Sequence, residues 1–323
     1  MNHIFSSELA VVIPAYKDDF LAEALASLAA QTYKTFTVYI GDDQSPYDLE
    51  PIVDGFRDQL HIVYKRFEEN LGGHSLIRQW NRCVRMSSEP WVWLFSDDDM
   101  ADPECIEHFS RKRSETSSAF SIYRFDLGFI DSDGKVTGFA PPHPEAESSA
   151  VFLYHWMNGH RACAAPECIF SRKVFESSGG FVDFPVGWIS DVASWALFGK
   201  KTGICKVAGS KVYWRKSEVQ LSYMHTKLAY EKAKATVMFI QWMDDAILDN
   251  VKDNDIARLL KKLRYNVFRR QINLLSSKMA VGDLFKISSE SSRVFGFGKW
   301  YLFRQIYPGS LKKKCRRLLH ITR

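Results

Sequence analysis

Leu9-Ala10-Val11-Val12-Ile13-Pro14, followed by Phe36-Thr37-Val38-Tyr39-Ile40-Gly41-Asp42-Asp43, is the stretch whose reading decides the fold. The first run is a continuous apolar segment closed by a proline, as expected of a parallel strand buried on both faces. Between the two, from Phe20 to Gln31, residues Leu21, Ala24, Leu25, Leu28 and Ala29 fall on one helical face. The second run is β-branched and aromatic, and it stops at Gly41-Asp42-Asp43. Strand, helix and strand within about 35 residues have the size of a βαβ unit.

The alternation continues outward. His61 to Tyr64 predicts a strand and Ser75 to Met86 a helix. Trp91-Val92-Trp93-Leu94-Phe95 predicts a strongly apolar strand that ends abruptly in Ser96-Asp97-Asp98-Asp99, and Pro103 opens a further helix. Such alternation predicts an α/β fold, a mostly parallel sheet sandwiched by helices. Acidic residues follow two of the strands, where open α/β sheets place their ligands. Residues 134–149, rich in Gly, Pro, Glu and Ser, read as an exposed loop or lid. Beyond about Ser222 the pattern changes to long helical periodicity, from Lys227 to Leu248 and from Ile256 to Leu275. The expected organisation is an α/β domain over residues 1–222 and a helical C-terminal extension over 223–323.

Of the 323 residues, 46% are hydrophobic and 14% aromatic, enough apolar material for a large core and against disorder. No apolar run approaches the roughly 20 residues of a membrane span. Met1-Asn2-His3-Ile4-Phe5 lacks the basic region and long apolar stretch of a secretory signal. Six cysteines follow no framework spacing, and Cys163 and Cys168 form a CxxxxC pair without a second half. Reduced thiols in a cytoplasmic protein are the expectation. Nine of the 43 Lys and Arg lie from Arg293 onward, where there is no Asp or Glu, so the body is net acidic. That argues against nucleic acid as a partner of the main domain. In the tail, Phe295, Phe297, Trp300, Tyr301, Leu302 and Phe303 adjoin Lys312-Lys313-Lys314 and Arg316-Arg317. Aromatics beside basic clusters suit an anionic membrane surface, which would place the protein peripherally on the inner face of the cell membrane. The competing reading is a packed C-terminal helix with a solvated basic end.

Asp97-Asp98-Asp99 is the strongest chemical signal. Three carboxylates after a buried strand repel one another, and burying them uncompensated is expensive. A hard divalent cation removes that cost, and Mg²⁺ or Mn²⁺ prefers oxygen ligands together with phosphate oxygens. A solvated turn with a helix-capping Asp before Pro103 is the alternative. Asp42-Asp43 is placed to accept a hydrogen bond from a base N–H or a ribose hydroxyl; a simple Asx-type turn with Ser45 and Pro46 is again the alternative. Arg78 and Arg82, one turn apart, read as a solvated helix face, with phosphate contact as the other reading. His74, His160 and His225 are isolated.

Val12-Ile13-Pro14-Ala15-Tyr16, Gln31-Thr32-Tyr33, Asp42-Asp43-Gln44-Ser45, Asn70-Leu71-Gly72-Gly73, Asn81 and Ser96-Asp97-Asp98-Asp99 occur in a telling order. Gly179-Gly180-Phe181, Trp188-Ile189-Ser190-Asp191, Trp195 and Gly199 follow them. Together, over residues 8–222, this series resembles family 2 glycosyltransferases of the GT-A fold. The resemblance implies an inverting transfer of a sugar from a nucleotide diphosphate, most simply a UDP-sugar, to a hydroxyl of a saccharide or lipid-linked oligosaccharide. Surface polysaccharide biosynthesis is the implied setting. By the same resemblance Pro14, Ala15 and Tyr16 line the base pocket, and Asp43 faces the base with Asp42 beside it. Asp98 matches the metal-binding carboxylate of the family's DxD motif, with Mn²⁺ or Mg²⁺ as cofactor. Asp97 and Asp99 are neighbours that touch ribose, water or metal, and Asp191 matches the catalytic base.

Three positions depart from the family pattern. Ser96 stands where Asp is frequent, Ser190 where Glu precedes the base, and Ser217 where a His near the diphosphate is common; Arg215 or Lys216 is left to supply positive charge. Without the resemblance, Asp191 reads as the N-cap of a helix Val192–Phe198. The alternative function is a nucleotide-sugar or carbohydrate-binding protein that keeps the fold without turnover. A nucleotidyltransferase would carry a Gly- and Lys-rich phosphate loop near the first strand, which Pro14-Ala15-Tyr16-Lys17 is not.

Overall fold

The computed structural model describes residues 7–216, 225–251 and 253–307. Its strands are β1 (Leu9–Ala15), β2 (Phe36–Asp42), β3 (Ile62–Arg66), β4 (Trp91–Leu94), β5 (Met100–Ala101), β6 (Ile122–Ile130), β7 (Val136–Phe139), β8 (Ala146–Glu147), β9 (Cys168–Ser171) and β10 (Ile204–Arg215). They form a single sheet in the order β3-β2-β1-β4-β9-β6-β10-β5, with β7 on β6 and β8 on β10. The long ladders are parallel: β1 runs with β2 and β4, β2 with β3, and β6 with β10. Antiparallel β9 joins the two halves between β4 and β6. The expected mostly parallel sheet flanked by helices is what forms.

β1 leads through helix Leu21–Ala29 to β2 on one side, and the chain later returns through helix Leu76–Val84 to β4 on the other. The strand order therefore reverses at β1. By the usual rule for such sheets, a ligand crevice is expected where the loops leave the carboxyl ends of β1 and β4. β1 also continues through Pro14 to Ala15, one residue beyond the proline expected to close it. The missing N–H is tolerated because β4 pairs only as far as Val12↔Leu94, so Pro14 has a strand neighbour on one side alone.

Two compact units divide the chain. One comprises Met1–Asp183 and Ser190–Ser217, the other Phe184–Ile189 and Glu218–Arg323. The boundary expected at residue 222 lies outside the described residues. The second unit contains helices His225–Ala246, Asn254–Leu275, Val281–Phe295 and Lys299–Ile306, with Leu260, Phe268, Ile272, Leu284, Ile287 and Leu302 buried. The Asp253 carboxylate caps the second of these helices by accepting from the amides of Asp255 and Ile256. Gly296, left-handed at φ 70°, ends the third. Within the last helix Leu302 and Ile306 are buried while Trp300 is 63% and Tyr301 50% exposed. Part of the aromatic tail thus packs and part faces solvent; Lys312–Lys314, Arg316 and Arg317 lie outside the described residues. No helix among the described residues is long and apolar enough to cross a membrane.

Residues 134–149 depart from their reading as an exposed loop. They supply β7 and β8 and bury His143 and Glu147. Glu147 is held there by hydrogen bonds from Arg124 and Arg161, a partnership of distant residues that local composition does not report.

The core of the sheet is centred on Trp93. It is fully buried, packs on Phe95 and Phe125 at centroid distances of 5.0 and 5.4 Å, and donates its indole N–H to the Pro166 carbonyl at 2.7 Å. Trp93→Ala should lower the free energy of unfolding by about 3–5 kcal/mol, the cost of emptying a buried aromatic site. Urea denaturation of the two proteins measures it.

Candidate active site

The crevice is assembled from backbone bonds between strand ends. Phe95 donates its amide to Val12 O and Asp43 donates its amide to Ala15 O, both at 2.9 Å, so the turns after β1, β2 and β4 are drawn together. Asp97 then closes the junction: its Oδ2 accepts the amides of Tyr16 at 2.9 Å and Lys17 at 3.1 Å. Asp98 accepts the Ser96 hydroxyl on Oδ1 at 2.7 Å and the Lys17 ammonium on Oδ2 at 3.1 Å. Asp99 Oδ1 accepts the Arg215 amide at 2.9 Å. All three carboxylates are buried, at 7%, 5% and 1% exposure for Asp97, Asp98 and Asp99. Burial first and the Asp98 charge second push the carboxyls of Asp97 and Asp99 upward. The loop is therefore buried and not a solvated turn.

The base-pocket candidates differ in reach. Tyr16 is 41% exposed, Pro14 is half-buried, and Ala15 is fully buried behind them. Asp42 is fully buried and engaged within the protein: Oδ1 accepts the Ser45 amide, and Oδ2 accepts the Tyr64 hydroxyl and Arg66. It is an Asx-type bracket that shapes the turn after β2. Asp43 accepts the amides of Leu71 and Gly72, each at 2.8 Å, and a hydrogen bond from Arg82. Burial raises its carboxyl in spite of these donors. Gly72 is required there, because a Cβ would lie 2.5 Å from Asp43 Oδ2. This gives Asn70-Leu71-Gly72-Gly73 a physical purpose: its backbone cradles the Asp43 carboxylate.

Arg82 is not a solvated helix residue. Its guanidinium lies 3.8 Å from the Phe67 ring centroid and bonds Asp43 and the Glu69 carbonyl. Arg78 is exposed as expected. Arg215 does not stand in for the missing His either. It is fully buried, with Nε on Asp98 O at 2.7 Å, Nη1 on the carbonyls of Asp131 and Ser132, and Nη2 on Glu23 at 2.6 Å. It clasps the acidic loop from within. Lys216 lies with Nζ 3.8 Å from the Phe129 ring centroid; Ser217 is outside the described residues. Lys17 gave no sequence signal beyond being a single basic residue after the first strand, whereas Arg215, singled out in the sequence for a charge near the diphosphate, instead braces the loop.

Asp191 is the second residue of helix Ser190–Phe198. An aromatic cluster seats that helix: Phe170 lies 5.3 Å from Phe198, and Phe181 5.9 Å from Trp195. Asp191 Oδ1 accepts from Val192, its immediate successor, whereas an N-cap accepts from the second or third residue onward. Ile189, just before the helix, has φ 65°, an uncommon conformation for a β-branched residue. Burial, and less strongly the Glu167 charge, push the Asp191 carboxyl up to about 7. Of the alternative carboxylates, Glu167 is fully buried beside His143, with Nε2 at 3.7 Å, and Asp183 is exposed and accepts the Ser75 hydroxyl.

Residues 10–177 match the family model described as glycosyl transferase family 2. The chain belongs to that family. An uncharacterized glycosyltransferase of Rickettsia prowazekii is 32% identical over 109 residues, which are 33% of this chain and 32% of the relative. The succinoglycan biosynthesis protein ExoW of Rhizobium meliloti is 24% identical over 187 residues, 53% of this chain and 57% of that protein. The matches to these family members thus span between a third and three fifths of their length. Among solved structures, S. aureus TarS residues 1–349 in complex with UDP-GlcNAc superposes with a TM-score of 0.67. The superposition covers 93% of this chain and 88% of that one at 16% identity, a likeness of fold.

For this family member, a divalent ion can be tested against the donor set. Among the described residues no three His, Cys, Asp or Glu side chains form a ready-made metal cage. Cys163 and Cys168 do not help, since burial holds both thiols well above their usual range. Mg²⁺ and Mn²⁺ sites of the substrate-bound kind need only one or two carboxylates plus phosphate oxygens. Asp98 and Asp99, hard oxygen donors in a buried cluster of like charge, fit that requirement.

The Asp191 side chain should titrate near pH 7 rather than near the 3.8 of an ordinary Asp. Removing the neighbouring charge with Glu167→Gln should move that titration to lower pH, since a nearby carboxylate disfavours a second one. Carboxyl ¹³C chemical shifts of Asp-labelled protein, assigned with Asp191→Asn, measure both.

Proposed function

We propose that the protein is an inverting glycosyltransferase that moves a sugar from a nucleotide diphosphate to a saccharide hydroxyl. The observation that carries this reading is the buried Asp97-Asp98-Asp99 loop at the switch point of the sheet, bonded to the Tyr16 amide, with Asp43 bonded to the neighbouring Ala15. A UDP-sugar is the donor favoured here, because TarS, similar in fold, was crystallised with UDP-GlcNAc. Tyr16 offers an exposed ring and Asp43 a carboxylate for the base and ribose, with Pro14, Ala15 and Asp42 as their support. Asp98, with Asp99 and Asp97 beside it, would hold Mn²⁺ or Mg²⁺. A divalent ion there supplies charge neutralisation for the leaving diphosphate. Asp191 takes the proton of the acceptor hydroxyl as it attacks, and a single in-line displacement inverts the anomeric carbon. A carboxyl held near neutrality is matched to that task.

The acceptor in this reading is a growing or lipid-linked saccharide of a surface polysaccharide, in line with the name of the relative ExoW. The exposed Trp300 and Tyr301, beside Lys299 and Arg304 and ahead of the basic end, support contact with an anionic membrane on the cytoplasmic side.

Asp191→Asn should lower turnover by about 10²- to 10⁴-fold while leaving UDP affinity unchanged, because basicity is lost and the nucleotide groups are untouched. Asp98→Asn should instead abolish the Mn²⁺ dependence of UDP binding. Turnover assays with UDP-sugars, paired with UDP calorimetry, separate the two. UDP binding without turnover in the wild-type protein across donors and acceptors would favour a binding protein of the same fold.

Because Leu302 and Ile306 are buried, deleting the last helix would confuse folding with membrane binding. Lys312→Gln with Lys313→Gln and Lys314→Gln should weaken binding to phosphatidylserine vesicles. Vesicle cosedimentation at low and high salt checks this, with salt sensitivity expected from the basic residues.

A further inference from the structure

The Lys17 ammonium lies on Asp98 Oδ2 at 3.1 Å, on the carboxylate assigned to the metal. It is also drawn by the charges of Asp97 and Asp99. The other Asp98 oxygen accepts the Ser96 hydroxyl, so an ion approaching Asp98 meets both oxygens engaged. The two ends of Lys17 are held differently. Its backbone amide is fixed on Asp97, whereas its side chain is 26% exposed on a flexible stem. The root is anchored at the junction of β1 and β4, while the charged tip is held only by its ion pair at the end of a stem of several single bonds.

We propose that Lys17 is an exchangeable counter-ion: it neutralises Asp98 while the donor site is empty, and it moves to the donor's diphosphate when Asp98 takes up the divalent ion. The inference rests on the donor and metal reading above. Its physical basis is that a buried carboxylate set beside two other acidic groups is costly unless a cation lies close to it. Without donor, the ammonium meets that need. When the nucleotide arrives, its diphosphate brings negative charge that attracts the ammonium away from Asp98. No bond is made or broken; one ion pair is exchanged for two. Nucleotide and metal thereby become thermodynamically coupled, each raising the other's affinity by the same factor. A free ion would bind poorly to the empty enzyme, because it would have to displace a tethered cation.

The test uses the full chain, Mn²⁺ and UDP, and reads Mn²⁺ affinity by calorimetry or by the loss of the free-ion paramagnetic resonance signal. In the wild-type protein, saturating UDP should raise Mn²⁺ affinity by about tenfold or more, within the ordinary range of coupling between sites. Lys17→Met keeps the stem and removes the charge. Its Mn²⁺ affinity without UDP should rise by about tenfold, and the further gain on adding UDP should shrink to match. Metal-free UDP affinity should fall. Lys17→Arg, which keeps a cation, should bind Mn²⁺ without UDP as weakly as the wild type does. An unchanged or lower nucleotide-free Mn²⁺ affinity in folded Lys17→Met overturns the exchange. So does a wild-type protein in which UDP and Mn²⁺ bind independently, a result that needs no variant to fold. If wild type and variant bind no Mn²⁺ even with UDP, the metal reading fails as well; if both bind it equally well, only the exchange fails.

Discussion

The mutual repulsion of three carboxylates at the end of β4 is the constraint on which the rest of the site depends. Each carboxylate is held by a different part of the chain. Asp97 accepts two amides from the end of β1, Asp98 takes the Lys17 ammonium, and Asp99 takes the Arg215 amide from the end of β10. Bringing these charges together is costly in a dry environment, so the loop forms only because the strands that deliver its partners are already paired. The register Val12↔Leu94 places the two turns side by side, and the Trp93 core fixes that register. Catalytic potential and folding are thus linked through the same strand ends.

Arg215 shows how such a loop is made rigid. Its guanidinium satisfies main-chain carbonyls of Asp98, Asp131 and Ser132 and pairs with Glu23, so one side chain joins the acidic loop, the turn after β6 and the first helix. Over the other face of its plane sits the Phe20 ring, 4.2 Å from the guanidinium carbon to the centroid. A planar fork with five donors suits this task where a lysine would not. Asp43 is treated in the same manner by the Leu71 and Gly72 amides and Arg82. Both acidic turns are held from behind by arginine and by backbone N–H groups, which orients them before any ligand arrives.

Asp191 is governed by a different physics. Backbone contact after a left-handed Ile189 starts its helix, and a cluster of aromatic rings packs that helix against β9. Burial, rather than a hydrogen-bond network, sets its affinity for a proton, with the charge of Glu167 adding to it. The upward shift of this carboxyl comes from where the helix sits, and its own sequence neighbours Ser190 and Val192 carry no sign of it.

Short continuous apolar runs and an apolar period of 3.6 between them determined the βαβ alternation, because they leave a chain few ways to bury them. They fixed the strands from Leu9, Phe36 and Trp91, the helices between them and the long C-terminal helices. The order of short motifs determined the family, and charge density singled out Asp97-Asp98-Asp99. What only the tertiary structure decided is which polar groups meet. Lys17 reaches Asp98 across a separation of 81 residues, and Arg215 reaches Glu23 across 192. Residues 134–149 buried His143 and Glu147 although their composition is that of a surface loop. Hydrophobic pattern is a local property repeated along the chain, whereas an ion pair or a buried hydrogen bond exists only once two remote segments have been set side by side.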